Sequence, residues 1–284
     1  SESMDPVHGV AVHRTTDPSP CPANRTRAAY PEEQHMSILL AALAAVLVGT
    51  ILQRVSGTGV GLVVAPVLSL LMGPGAGVLA TNAATTCSGF LITLSVRRLV
   101  EWRHAAVLVA AAVPGIVAGA VVVRHVPSAW LQVAVGSVVL AGLAITRFSP
   151  ATPYASRRAT VVPAGVIGGL FNATAGVAAP AMVIYSRVTR WDQVHFAATM
   201  QPVFMSMGAL SAAAKLVAGV HFALPVPALV AVVALVLTVL AGIAIGTWLA
   251  RHMSKATAQK LAMTLATVGG VVVLVRGTIT LLTA

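Results

Sequence analysis

Two stretches decide how this chain is read: GTILQRVSGTGVGL at residues 49–62 and GGLFNATAGVAAPA at residues 168–181. Laid over one another at an offset of 119, they pair Gly49 with Gly168 and Gly57 with Gly176. Each interrupts an apolar run with Gly, Ser, Thr or Asn, residues that favour turns and caps over helix interiors. The correspondence continues outward. LATNA (79–83) lies over AATMQ (197–201) at an offset of 118, with Thr81 on Thr199. PGIVAGAVVVRHVPSAWLQ (114–132) lies over AGIAIGTWLARHMSKATAQ (241–259) at an offset of 127. There Gly115 meets Gly242, Gly119 meets Gly246, and Arg124-His125 meets Arg251-His252. Three collinear blocks mark an internal duplication.

The surrounding composition names the solvent. Of 284 residues, 57% are hydrophobic and 9% charged, which excludes a water-soluble globular enzyme. From Met36 onward the only carboxylates are Glu101 and Asp192, against 15 Lys and Arg. A net charge of +11 spread between apolar runs faces lipid headgroups and sets topology, and does not form a nucleic-acid surface. Ten apolar segments follow the start: 36–52, 60–72, 77–96, 105–123, 129–146, 160–171, 176–185, 196–217, 223–250 and 258–283. Six are long enough to span; the first two of each half fall at or below the roughly 20 residues a crossing needs. The expected fold is an all-α, polytopic transmembrane bundle of two homologous, inverted repeats. Each repeat carries a broken or re-entrant glycine-rich helix pair. Residues 160–185 also read as one broken spanning helix. The expected division is a disordered polar tail (1–35), repeat 1 (36–147), a linker (148–159) and repeat 2 (160–284), in a plasma or bacterial inner membrane.

Charge tests the handedness of the duplication, because equivalent loops of an inverted repeat lie on opposite sides. The loop after the third segment has Arg97, Arg98 and Arg103, and its partner only Lys215. The next loop has Arg124, and its partner Arg251, Lys255 and Lys260. Inversion gathers six of these eight on one side, together with Arg147, Arg157, Arg158, Arg187 and Arg190.

Non-helical backbone at membrane depth is tolerated only inside protein or beside a wet cavity, so the breaks are the candidate site. The first offers Arg54, Ser56, Gly57, Thr58, Gly59 and Gly61: a cation, two hydroxyls and glycines that free backbone amides at a helix N-terminus, an arrangement suited to an anion. Glycines at this spacing also let helices pack closely, and Arg54 can snorkel. The second break offers Asn172, Thr174, Gly176 and Pro180. Thr81 and Asn82 follow the first hairpin, and Thr199 and Gln201 the second; each is a candidate lining residue or an interhelical hydrogen bond. Tyr185 reads as an interfacial aromatic, His104, His125, His221 and His252 as interfacial, and His195 as the histidine placed to titrate.

Enzyme chemistry is not expected: there is no HExxH, no paired intramembrane Asp, no GxSG, and GTGVG lacks the strand and Lys of a nucleotide loop. Cys21 and Cys87 are too few for a disulfide framework, and neither metal nor cofactor is implied.

SGTGVGLVVAPVL (56–68), GGLFNATAGVAAPAMVIY (168–185) and RRLVEWRHA (97–105) resemble the TauE/SafE family of membrane permeases, over residues from Gly49 to about Arg276. The resemblance implies two homologous halves and transport of small, often sulfur-containing anions such as sulfite or organosulfonates. Where relatives tend to carry Gly-Gly-Pro-Pro, this chain has Ala178, Ala179, Pro180 and Ala181, which narrows close backbone approach. The expected partners are a small anionic solute and membrane lipid, with a homo-oligomer allowed and no nucleic acid. The competing expectation is a membrane scaffold or assembly subunit without transport.

Overall fold

The computed structural model describes residues 32–56, 60–148, 154–220 and 226–283. The expected disordered tail up to residue 31, Gly57, Thr58 and Gly59 of the first break, His221, and residues 149–153 of the linker lie outside them.

The described residues form an all-α bundle of ten helices: α1 (Glu32–Ser56), α2 (Gly61–Met72), α3 (Pro74–Val96), α4 (Trp102–His125), α5 (Ser128–Phe148), α6 (Arg157–Ala175), α7 (Ala179–Val188), α8 (Gln193–Val217), α9 (Ala228–Leu249) and α10 (Lys255–Leu282), with a 3-10 turn at Arg97–Leu99. Local chemistry sets the ends. The Ser156 and Ser254 hydroxyls accept from the Ala159 and Thr257 amides, and the Asp192 carboxylate accepts from the Val194 and His195 amides. Gly176, at φ +73°, ends α6 in the left-handed conformation, its N–H reaching the Asn172 carbonyl at 3.0 Å. Thr81, Thr85, Thr86 and Thr93 return their hydroxyls to carbonyls four residues back, so these polar groups cost little inside an apolar bundle.

Six helical stretches are long and apolar enough to span: Met36–Val55, Pro74–Leu99, Trp102–His125, Ser128–Ile145, Ala228–Leu249 and Gln259–Leu282. Two differ from expectation. α1 spans because the helix continues through Gln53 and Arg54, where the apolar run stops. α8 has 25 residues but is too polar to count, and it needs no lipid-compatible surface because much of its length is buried among other helices. α9, by contrast, exposes Leu229, Val230, Val232, Val233, Leu237 and Leu240.

Helices pair through glycine. α4 lies along α6, where a Cβ on Gly115 would collide with the Val166 carbonyl oxygen and one on Gly119 would lie 2.6 Å from Ala173 Cβ. α1 lies along α9, where a Cβ on Gly242 would lie 2.8 Å from Thr50 Cβ and one on Gly246 2.8 Å from Arg54 Cβ. α3 runs antiparallel to α8, since Gly89 meets Gln201 and Met205, Gly208 meets Asn82 and Thr86, and Gly75 meets Val220. α5 and α10 meet at Gly136, Gly270 and Gly277. Small residues let backbones approach where lipid supplies no hydrophobic drive. The main apolar core runs through Leu108, Ala112, Ile116, Ala173, Met182, Met200, Val203 and Met207.

One end of the bundle collects the α3–α4 turn, the start of α6, the α7–α8 connection and the start of α10. Arg157 bonds Glu101, Arg187 bonds the Ile145 carbonyl, and Gln193 and Gln259 line one cavity. This is the end where the basic residues were expected to gather. Lys215, counted with loop charges from the sequence, instead lies in the last turn of α8 and is fully buried.

Gly115→Ala is expected to destabilise the bundle by about 1–3 kcal/mol by pushing α4 off α6. Gly75→Ala, whose Cβ would meet only Val220 at 3.6 Å, should stay neutral or gain up to about 1 kcal/mol from helix propensity. Thermal unfolding of the detergent-purified variants checks the pair.

Candidate anion path

The two breaks meet. A Cβ on Gly61, at the start of α2, would collide with the Gly176 carbonyl oxygen, and a Cβ on Gly176 would lie 3.2 Å from Thr81 Cγ2 and 3.3 Å from Ala65 Cβ. The positive φ of Gly176 and this contact both require glycine. Asn172, one turn earlier on α6, donates from Nδ2 to Ser211 Oγ of α8 at 2.9 Å. Gly61, Thr85, Asn172, Gly176, Val177 and Phe204 surround a small cavity of about 10 Å³ at this meeting point.

A larger cavity of about 240 Å³ adjoins it. Its outer lining includes the exposed Gln193 and Gln259, with Ser186 and Arg187, at the basic end; its inner lining includes Leu62, Ala179, Pro180, Met200 and Phe204. Leu62, Ala179 and Phe204 line both spaces. Phe204 is the largest of these shared side chains.

Sequence-derived candidates divide accordingly. Gly61, Thr81, Asn172 and Gly176 come together, and Pro180 lines the larger cavity, where its ring leaves no room for a side chain on Gly142. Asn82 is fully buried beside Thr81, and neither its Nδ2 nor its Oδ1 has a hydrogen-bond partner. Thr174 returns its hydroxyl to the Leu170 carbonyl at 2.8 Å. Arg54 lies apart from both cavities, donating from Nε to Thr247 Oγ1 on α9 at 3.0 Å. Gln201 accepts from Gln53 Nε2 at 3.1 Å, tying α1 to α8 inside the bundle. Thr199 accepts from the Glu101 amide at 3.0 Å, toward the basic end. Nothing is described of the Ser56 side chain, nor of Gly57, Thr58 and Gly59.

Sequence reasoning missed the partners of these groups. Gln53 stands beside the first break as Asn172 stands in the second, at the same offset of 119, and both amides reach α8. Gln201, Phe204, Gly208, Ser211 and Lys215 follow a three-four spacing, so they share one stripe of α8; that spacing was visible in the sequence. Lys215 is 0% exposed, and its Nζ has no hydrogen-bond partner.

The basic end also carries a carboxylate and aromatic cluster. Glu101 accepts from Arg157 Nη1 at 2.9 Å and from Trp191 Nε1 at 2.7 Å. The Arg157 guanidinium lies 4.6 Å from the Trp191 ring centre, and His104 meets the same ring edge-on. His104 Nε2 is 2.6 Å from the Tyr185 hydroxyl. Tyr185, expected at the interface, is 1% exposed, and His104 is half-buried, because this cluster supplies their polar partners inside the protein. His195 is exposed and paired with Asp192 at 2.9 Å.

The comparisons with known proteins agree with this architecture. The family model for sulfite exporter TauE/SafE matches residues 41–273. The chain belongs to the TauE/SafE family. This is a family of membrane exporters and not of enzymes, which makes the bundle a multi-pass membrane protein. Over 142 residues the chain is 32% identical to the "Probable sulfite/organosulfonate exporter TauE" of Cupriavidus necator, covering 48% of this chain and 55% of that protein. The chain thus spans about half the length of the curated relative it matches. No solved structure matches it.

Glu101→Ala is expected to lower stability by about 1–2 kcal/mol, because Arg157 and Trp191 both lose a charged acceptor at a half-exposed site. Glu101→Gln, which keeps an acceptor for Trp191, should cost less; thermal unfolding followed by tryptophan fluorescence separates the two. The Asp192 carboxyl is held below its ordinary range by the His195 backbone N–H first, and then by the His195 side chain and the Val194 amide. Its capping contribution is therefore complete above the unfolded-state value of about 3.9 and lost as pH falls through the lower folded-state value. Asp192→Asn should flatten the acid side of the midpoint-versus-pH curve.

Proposed function

We propose that this TauE/SafE protein is a permease for a small anion, sulfur-containing such as sulfite or an organosulfonate. It works by alternating access between two inverted halves. The observation that carries this reading is the apposition of Gly61 and Gly176 at the inner end of a cavity lined from the basic end. Two broken helices facing one another backbone to backbone place freed amides and carbonyls around a shared centre, the usual construction of a midplane site in carriers.

Several features support the two halves. α1 pairs with α9 as α6 pairs with α4, and α5–α10 and α3–α8 each join equivalent helices of the two halves. The duplicated glycines keep equivalent neighbours: Gly115 and Gly119 pack on α6, and Gly242 and Gly246 on α1. Gly49 abuts Val64 while its counterpart Gly168 abuts Met182, 118 residues on. α2 and α7, of 12 and 10 residues, are too short to cross and form the inner arms of two re-entrant hairpins entering from opposite ends. The centre comprises Gly61, Thr81, Asn82, Asn172 and Gly176, with Ser56, Gly57, Thr58 and Gly59 completing the first break. Phe204 is the inner door of the conformation open toward the basic, cytoplasmic end.

Proteoliposome flux of sulfite, sulfoacetate, thiosulfate and sulfate against chloride tests the reading. Saturable flux of at least one sulfur anion is expected. Gly61→Ala, the smallest change that touches the meeting point, should cut it more than about tenfold. Folded protein that moves none of these anions, with or without a pH gradient, overturns it.

A further inference from the structure

We infer that Lys215, with the Asn82 amide beside its path, supplies the counter-charge for the transported anion; this rests on the permease reading above. Lys215 is 0% exposed in the last turn of α8 and its Nζ has no hydrogen-bond partner. A buried ammonium is tolerated only when something compensates it, and in a membrane bundle it marks a solute or ion path. Among the described residues no carboxylate pairs with it. Between Met36 and Ala284 the carboxylates are Glu101 and Asp192. Glu101 is engaged by Arg157 and Trp191, and Asp192 caps α8 and pairs with His195, both at the basic end. An anion that enters the bundle is the partner left for Lys215.

Placement points the same way. Lys215 follows Ser211 by one turn on the same stripe of α8, and Ser211 is held by Asn172 of the second break. α6 and α8 both start near Glu101, through Arg157 and Thr199, so they run in parallel. Four residues beyond the Asn172–Ser211 bond, Lys215 therefore stands level with Gly176, where α6 ends and its terminal carbonyls favour a cation. Asn82 abuts α8 at Gly208, whose Cβ would lie 2.9 Å from the Asn82 carbonyl oxygen. Helical side chains lean toward the N-terminus of their own helix. Because α3 and α8 are antiparallel, the Asn82 amide and the Lys215 ammonium lean toward one another, and both are unpartnered. Thr81, next to Asn82, touches Gly176 directly. The Lys215 ammonium and the Asn82 amide thus lean together beside the backbone of the second break, and their N–H donors suit a compact oxyanion.

The test uses the full chain in proteoliposomes with sulfite as the probe, comparing wild type with Lys215→Met, Lys215→Arg and Asn82→Leu. Lys215→Met removes an uncompensated charge for an apolar chain of similar length, so it should fold with an unchanged or raised melting temperature. The expected result is a KM for sulfite raised about 30-fold or more in Lys215→Met, a smaller rise in Asn82→Leu, and partial recovery in Lys215→Arg. Sulfite should also raise the melting temperature of wild type in detergent but not that of Lys215→Met. Flux by Lys215→Met with KM within about twofold of wild type overturns the inference and leaves the permease reading standing. Loss of flux in Lys215→Met and Lys215→Arg alike, with sulfite still stabilising Lys215→Met, also overturns it, since the lysine would then serve packing or motion. Absence of sulfur-anion flux in wild type removes both.

Discussion

The contact on which the rest of the structure depends is the one between two interrupted helices, each covering the other's broken backbone. Lipid offers no hydrogen bond to a freed amide or carbonyl, so a helix that stops at mid-depth must stop against protein. Gly61 meets the Gly176 carbonyl too closely to carry a side chain, and Gly176 holds a left-handed conformation against Thr81 and Ala65. That contact fixes the entry of α2, the end of α6 and the position of α3 at Thr81. The longer helices then act as a shell, held by glycine seams between α4 and α6, α1 and α9, and α5 and α10.

Around this centre the polar residues are spent sparingly. Gln53 and Asn172, one at each break, hold α8 through Gln201 and Ser211. Glu101 joins the start of α6, the α7–α8 connection and, through its own amide, Thr199 of α8. Membership of the TauE/SafE family places the whole arrangement in a membrane. Lys215 and Asn82, with Thr50 and Ser69, are among the buried groups left without a hydrogen-bond partner.

Much of the helical layout was legible in the sequence, because apolar runs and glycine breaks report directly on lipid and on close packing. The failures are physical too. The apolar run of α1 stops before Gln53, but the helix continues, since Gln53 finds Gln201 and Arg54 finds Thr247. α8 looked like an ordinary span, but a helix enclosed by protein need not be apolar. Lys215 looked like a loop charge because it ends an apolar segment; only packing shows that it is buried. Arg54 was the more conspicuous cation, yet side-chain reach is invisible in one dimension, and it turns toward α9. The Glu101 cluster draws on residues 101, 104, 157, 185 and 191, a separation no local pattern reports.

The size of the inner space at the meeting point has a consequence for hydration. At about 10 Å³ it offers scarcely the room that a single water molecule needs, between two peptide backbones. A charged group that reached this point would arrive stripped of nearly all its water, so the cost of dehydration would weigh there as heavily as size.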